Sequence, residues 1–313
     1  MDESSGSRSP KTLADVSHLF FSGTEEAEGS PGDIEPVEEH GDTGRDAPDV
    51  GDDLEPSDEG RDRTRVLVVT GGGDSPGKST LAINLAHALA PFGRVALFDA
   101  DPSIPNARYF LGLPSWHYLS PLTGDGRAAP AVVTDAGVLV ADWSHDANGP
   151  VESFGNGRVI YADIPDVGRA PLDFVLVDVP ASNTELISWL ATRGPEYLVA
   201  ARPGRRGFEC AFSALRTLRR DSGAVAAGLV VNGAPGDESA RDFHAKTAAA
   251  ARRLLSMEVR FLGAVPFEPG LGAQQRERGA VVSSCPDGEA ALAIRRVASQ
   301  LLENDGRYGW TRG

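Results

Sequence analysis

Two glycines, Gly72 and Gly77, are separated by four residues and followed at once by Lys78, Ser79 and Thr80. The stretch reads VLVVTGGGDSPGKST from Val66 to Thr80. The spacing G-x-x-x-x-G-K-S fits a phosphate-binding loop. A triphosphate needs many short donors around its charge. Backbone N–H groups supply them only where the chain wraps closely, and glycine permits that approach. The segment Gly72, Gly73, Asp74, Ser75, Pro76, Gly77 is therefore the expected cradle, closed by Lys78, Ser79 and Thr80. Lys78 is expected on the β- and γ-phosphates as a point charge and Ser79 on Mg²⁺. Residue usage supports the lysine. The chain has three lysines, Lys11, Lys78 and Lys246, against 27 arginines, so the lysine at this loop is not a chance choice of cation.

Further candidates stand at the ends of apolar runs. RVALFDAD ends in Asp99 and Asp101, DFVLVDVP carries Asp178, AAGLVVNG carries Asn232, and VRFLGAVPF ends in Pro266 and Phe267 before Glu268. A carboxylate at a strand end beside a triphosphate needs a metal between the two, which makes Ser79, Asp99 and Asp178 the candidate metal residues. Asp99 also reads as strand-end solubilisation. Asn232 also reads as a turn cap.

The elements that must position these residues follow from periodicity. Val66–Val69 is a β-branched, apolar run, and the Leu81, Ile83, Leu85 and Ala86–Leu89 segment after the loop is helical. Strands are expected at 94–101, 173–180, 196–204, 226–233 and 259–267. Helices are expected near 185–192, along FECAFSALRTLRR, and at 240–257, 271–278 and 289–303. Between 120 and 172, AVVTDAGVLVADW and GRVIYADIP read as edge strands. Nearly all-apolar strands alternating with helices predict an α/β fold, a mostly parallel sheet covered by helices on both faces, of the P-loop NTPase type. In such sheets ligands sit at the carboxyl ends of the strands, where all the candidates fall.

Charge divides the chain. Residues 1–60 carry 18 acidic and 3 basic residues, whereas residues 61–313 carry 27 of each, so the net charge of −15 belongs to the tail alone. Residues 1–60 are expected to be a disordered acidic tail and 61–313 the ATPase-type body. Within the tail, KTLADVSHLFFS (11–22) spaces Leu13, Val16, Leu19 and Phe20 as one apolar helical face. It reads either as a chance cluster or as a short motif for a protein partner. No apolar run reaches membrane-spanning length, and MDESSGSRSPK lacks the features of a signal peptide. Cys210 and Cys285 match no metal or redox spacing, so a cytoplasmic setting is expected.

GGGDSPGKST, FDADPSIPNARYFLGL, DFVLVDVP, VVNG and GAVPFEPGLGAQQRERGAVV together resemble the MinD/ParA family of P-loop ATPases, including FlhG-like members, over nearly all of residues 63–303. The resemblance implies binding of ATP and Mg²⁺. It implies catalytic roles for Lys78 and for Asp101, which would orient the attacking water. Asp99 would support the metal and Asp178 would hold it through water. Asn232 would hydrogen-bond adenine, and Pro266, Phe267 and Glu268 would line the base pocket. It also implies an ATP-dependent homodimer, but Gly73 stands where the family carries a signature lysine, so slow hydrolysis is expected. Arg108 is the arginine best placed to substitute.

Three functions compete: an ATP-dependent switch that positions or regulates a cellular assembly, a non-hydrolysing nucleotide-binding scaffold acting through its N-terminal motif, and a tyrosine-kinase-like regulator of polysaccharide export. The third is disfavoured, because Ser103 stands where that class carries an arginine and Tyr308 stands alone. The C-terminus lacks an amphipathic basic helix, so membrane recruitment is not expected. Arg205, Arg206, Arg216, Arg219 and Arg220 read as solvated helix charges beside an acidic tail, so nucleic-acid binding is not expected.

Overall fold

The structure, a computed structural model, describes residues 64–73, 77–101, 106–112, 117–118, 130–142 and 172–303. Among the described residues nine strands form one sheet: β1 (Arg65–Thr70), β2 (Val95–Asp99), β3 (His117–Tyr118), β4 (Pro130–Val133), β5 (Leu139–Asp142), β6 (Phe174–Asp178), β7 (Glu196–Ala201), β8 (Ala226–Ala234) and β9 (Glu258–Pro266). The helices are α1 (Lys78–Leu89), α2 (Asn106–Phe110), α3 (Thr184–Ala191), α4 (Arg205–Thr217), α5 (Asp237–Leu255), α6 (Leu271–Arg278), α7 (Val281–Ser284) and α8 (Glu289–Glu303). None of them is long and apolar enough to cross a membrane.

The strand order is β3-β4-β5-β2-β6-β1-β7-β8-β9. Every pairing from β5 through β9 is parallel, and only β3–β4 and β4–β5 are antiparallel. The predicted α/β architecture is thus the observed one, with the antiparallel strands confined to one edge.

Alternation explains why the central strands carry no polar face. Leu67 and Val69 of β1, Phe174 and Leu176 of β6, and Leu198 and Ala200 of β7 pack into the core shared with α1, α7 and α8. The intervening Val66, Val68, Val175, Val177, Tyr197 and Val199 are equally buried toward the opposite face. A side-chain period of two, with both faces covered, makes each strand a continuous apolar run. On α4 Phe208, Phe212 and Leu215 are buried, and so is Leu218 just past its end, as the spacing predicted.

Boundaries move by a few residues. The last strand begins at Glu258, and the long helix spans Asp237–Leu255. A π-helical turn, Leu218–Ser222, prolongs α4 until Gly223 at φ 68° ends it. GRVIYADIP, the tail and its 11–22 motif lie outside the described residues.

Candidate functional site

Because β1, β2, β6, β7, β8 and β9 all run the same way, their carboxyl ends share one edge. The loop after β1, Asp99 of β2, Asp178 of β6, Asn232 of β8 and Pro266 of β9 are placed there, and Asp101 follows two residues after Asp99. The loop turns into α1 at Gly77, which takes φ 88°, a left-handed conformation that favours glycine. Asp74, Ser75 and Pro76 lie outside the described residues.

Contacts give each described loop glycine a second reason. A Cβ on Gly72 would collide with the carbonyl oxygen of Cys210 on α4. Gly73 has φ 60°, and a Cβ there would stand 2.7 Å from the Cys210 Sγ. A Cβ on Gly77 would collide with the Asn232 side-chain amide. The loop is therefore wedged between α4 on one side and the end of β8 on the other. Asn232 lies against the loop itself.

Lys78 opens α1 and is buried, and its Nζ donates to Oδ1 of Asp178 across the edge. Ser79, the next residue, also favours the ionised form of the Asp178 carboxylate. Burial pushes the Asp178 carboxyl up from its ordinary range, and the Lys78 ammonium opposes that shift. Asp99 is held differently. Its Oδ1 accepts the Asp101 N–H at 3.2 Å, and its Oδ2 accepts the Ala107 N–H at 2.7 Å. Asp99 thus ties the end of β2 to the first turn of α2. Burial first, and the nearby Asp178 charge second, push its carboxyl up to about 7. Asp101 is half-buried at the mouth of the edge.

Two buried atoms in this cluster lack a protein partner, Asp178 Oδ2 and Thr70 Oγ1. Buried polar atoms are normally satisfied, so a pair of orphans beside a glycine loop and a buried lysine fits a site completed by a ligand. Among the described residues no group of three or more His, Cys, Asp or Glu is spaced to hold a metal. Ser79 and Asp178 suit Mg²⁺, which keeps several waters and takes few protein ligands besides phosphate oxygens. The residues present therefore fit a magnesium nucleotide.

Just past β9, Phe267 is exposed and Glu268 half-buried. The arginine proposed as a substitute cation, Arg108, lies on α2, and its side chain is outside the described residues. Sequence reasoning missed Thr70, Cys210 and Asn84. Thr70 had a signal, being the polar residue that ends an apolar strand just before the loop. Asn84 is fully buried on α1: its Nδ2 donates to Gln275 Oε1 at 3.0 Å and to the Thr80 carbonyl at 2.8 Å, and its Oδ1 accepts the Val282 N–H at 3.2 Å. It thereby locks α1 to α6 and α7.

The parallel sheet, the helices on both faces and the loop between β1 and α1 define a P-loop NTPase fold of the MinD type. The chain belongs to the CobQ/CobB/MinD/ParA nucleotide-binding domain family, which matches residues 66–279. It is similar to the antiactivator FleN of Pseudomonas aeruginosa, with 27% identity over 253 residues, 76% of this chain and 86% of that protein. Among solved structures it resembles the MinD of the MinC:MinD complex of Aquifex aeolicus, with TM-score 0.56, 22% identity and coverage of 77% of this chain and 96% of that one. It also resembles the septum site-determining protein MinD of Pyrococcus horikoshii complexed with Mg-ADP, with TM-score 0.55, 21% identity and coverage of 77% and 98%.

Proposed function

We propose that this chain is an ATP-binding molecular switch with slow ATPase activity that positions or regulates a cellular assembly. The observation that carries the reading is the Lys78–Ser79–Asp178 cluster. One oxygen of a buried carboxylate is held by the loop lysine, and the other is left without a protein partner. The family match to nucleotide-binding domains and the similarity to an antiactivator support both halves of the proposal.

Within that reading each residue has a task. The glycines let backbone N–H groups surround phosphate, and the α1 N-terminus adds its unpaired donors. Lys78 brings positive charge to the loop, and Asp178 balances it. Ser79 and Asp178 hold Mg²⁺, which would polarise the terminal phosphate bond when bound. Asp101 orients the attacking water, and Asp99 fixes the backbone that carries Asp101. Asn232 hydrogen-bonds adenine, with Pro266, Phe267 and Glu268 around the base. Leu13, Val16, Leu19 and Phe20 form the contact for a protein partner.

A second reading, a nucleotide-binding scaffold that does not hydrolyse, is favoured by one observation: the Cys210 thiol crowds the position where a side chain at residue 73 would start.

Titration with a fluorescent ATP analogue in Mg²⁺ tests the binding claim. Lys78→Ala is expected to weaken affinity about 10- to 100-fold, the value of a charge-assisted phosphate contact. Equal affinity for both proteins refutes it. Turnover measured alongside separates the switch from the scaffold.

A further inference from the structure

Arg202 follows β7 directly, at the same edge as the loop. Its backbone is clamped: a Cβ on Gly207, in the first turn of α4, would collide with the Arg202 carbonyl. Its side chain lies along Gly233, where a Cβ would stand 3.4 Å from Nε, 3.9 Å from Cγ and 4.0 Å from Cδ. Gly233 takes φ 70° and marks an irregularity in the β8–β9 register between Asn232 and Ala234. The bulged glycine leaves a bare backbone surface, and the arginine stem is laid across it.

Arg202 is exposed, and no ion pair to it is seen among the described residues. Arg205, three residues on, is by contrast committed to Glu209 at 3.2 Å. An exposed arginine on a clamped backbone beside Asn232 is a group placed to meet a ligand.

Topology decides which part of the ligand. Asp178 and Asp99 stand on β6 and β2, to one side of β1, whereas Arg202, Asn232 and Pro266 stand at the ends of β7, β8 and β9, to the other. Two strand spacings, about 10 Å, separate the ends of β6 and β7. The Arg202 stem runs toward β8, away from the carboxylates. The edge therefore has a phosphate and metal pole and an opposite pole where Asn232 waits, and Arg202 belongs to the second.

We propose that Arg202 is a base-contacting residue, its planar guanidinium stacking on the purine of the bound nucleotide. The proposal rests on the nucleotide-binding reading above and deepens it by assigning a contact to the base. A guanidinium suits this task because it is flat, delocalised and weakly hydrated, which an ammonium is not. The base is common to di- and triphosphates, so the contact serves both.

The test is equilibrium binding of MgATP and of MgADP to the full chain, compared with Arg202→Ala, Arg202→Met and Arg202→Lys. Arg202→Met keeps an apolar stem over Gly233 and removes only the cationic plane. Both Arg202→Ala and Arg202→Met are expected to weaken ATP and ADP by the same factor, about 5- to 30-fold, and Arg202→Lys is expected not to restore it. Loss confined to ATP assigns Arg202 to the terminal phosphate and overturns the proposal. Full restoration by lysine, or unchanged affinity in Arg202→Met, overturns it as well. Lys78→Ala is the reference. If wild type binds and Lys78→Ala does not, but Arg202→Met binds normally, only the role of Arg202 fails. If wild type binds neither nucleotide, the nucleotide reading fails and this proposal with it.

Discussion

Gly73 and Cys210 are in close contact: a Cβ at residue 73 would meet the Cys210 Sγ at 2.7 Å, on a backbone already at φ 60°. A side chain at residue 73 therefore has to turn the Cys210 thiol aside and also hold a left-handed backbone, and the two costs add. Gly73→Ala and Gly73→Lys are each expected to cost about 1–3 kcal/mol. Cys210→Ala removes the sulfur, and the next atom, the Cys210 Cβ, is 3.9 Å away. The double variant is therefore expected to recover about 1 kcal/mol or more relative to the sum of the singles. Denaturant melts of the four proteins in each cycle measure the coupling, and strict additivity would falsify the contact.

Catalysis makes a companion prediction. A cation delivered in trans to a phosphoryl-transfer site is worth roughly 10³–10⁵ in rate, as arginine fingers are. Wild-type turnover is therefore expected to be slow and independent of protein concentration. Gly73→Lys combined with Cys210→Ala is expected to be faster than wild type, and Arg108→Ala no slower unless Arg108 supplies the charge. Brisk wild-type turnover that rises with concentration and survives Arg108→Ala would sink the argument.

Asp99 makes stability depend on pH. Its carboxyl is pushed up to about 7 in the fold, chiefly by burial. In the unfolded chain it ionises near its ordinary value, about 3.9. Between those values the folded protein holds a proton that the unfolded chain has released, so this contribution is full below about 4 and is lost as pH rises to about 7. The loss is expected to be about 2–4 kcal/mol in nucleotide-free protein and to level off at higher pH. Asp99→Asn keeps an oxygen for Ala107 and removes the ionisation, so its profile should be flatter over that window. Parallel profiles for the two proteins would show that Asp99 does not titrate there.

Asn84 is the third case. It satisfies Gln275 Oε1, the Thr80 carbonyl and the Val282 N–H from inside an apolar helix. Asn84→Ala strands Gln275, which is fully buried, and is expected to cost about 2–4 kcal/mol. Asn84→Leu should fare no better, since it leaves the same groups unpaired. Thermal melts in which either variant matches wild type would contradict this accounting.

Residues 1–60 offer no core by composition. A chain beginning at Gly60 should melt within a few degrees of the full protein. A large loss would mean that the Leu13–Phe21 segment contributes to the stability of the body.

What was legible in the sequence follows from how these elements are built. Val66–Val69, Val95–Phe98 and Phe174–Val177 read as strands because burial on both faces leaves them no polar positions. The loop announced itself through glycine, lysine and serine spacing. The carboxylates and Asn232 could be placed on one edge because parallel strands share a direction. What stayed hidden were partners distant in sequence. Nothing local to Gly73 points to Cys210, and nothing in α1 tells Asn84 which groups it will meet. The π-helical turn after Thr217 was illegible for a related reason: Leu218 continues the buried stripe of α4, so its periodicity reads as ordinary helix until Gly223.

Arg65 opens β1, and its guanidinium bonds Glu196 at the start of β7 and the Leu301 carbonyl in α8. On the ribosome this puts the earliest strand of the described body at the mercy of the last helix. β1 is flanked by β6 and β7, so the loop has no neighbouring strands until Phe174 and Glu196 have been made, and the tie to α8 closes later still. Such long-range pairing folds slowly and as a unit. A nascent chain truncated before β6 carries the whole phosphate-loop sequence and neither of the strands that flank β1.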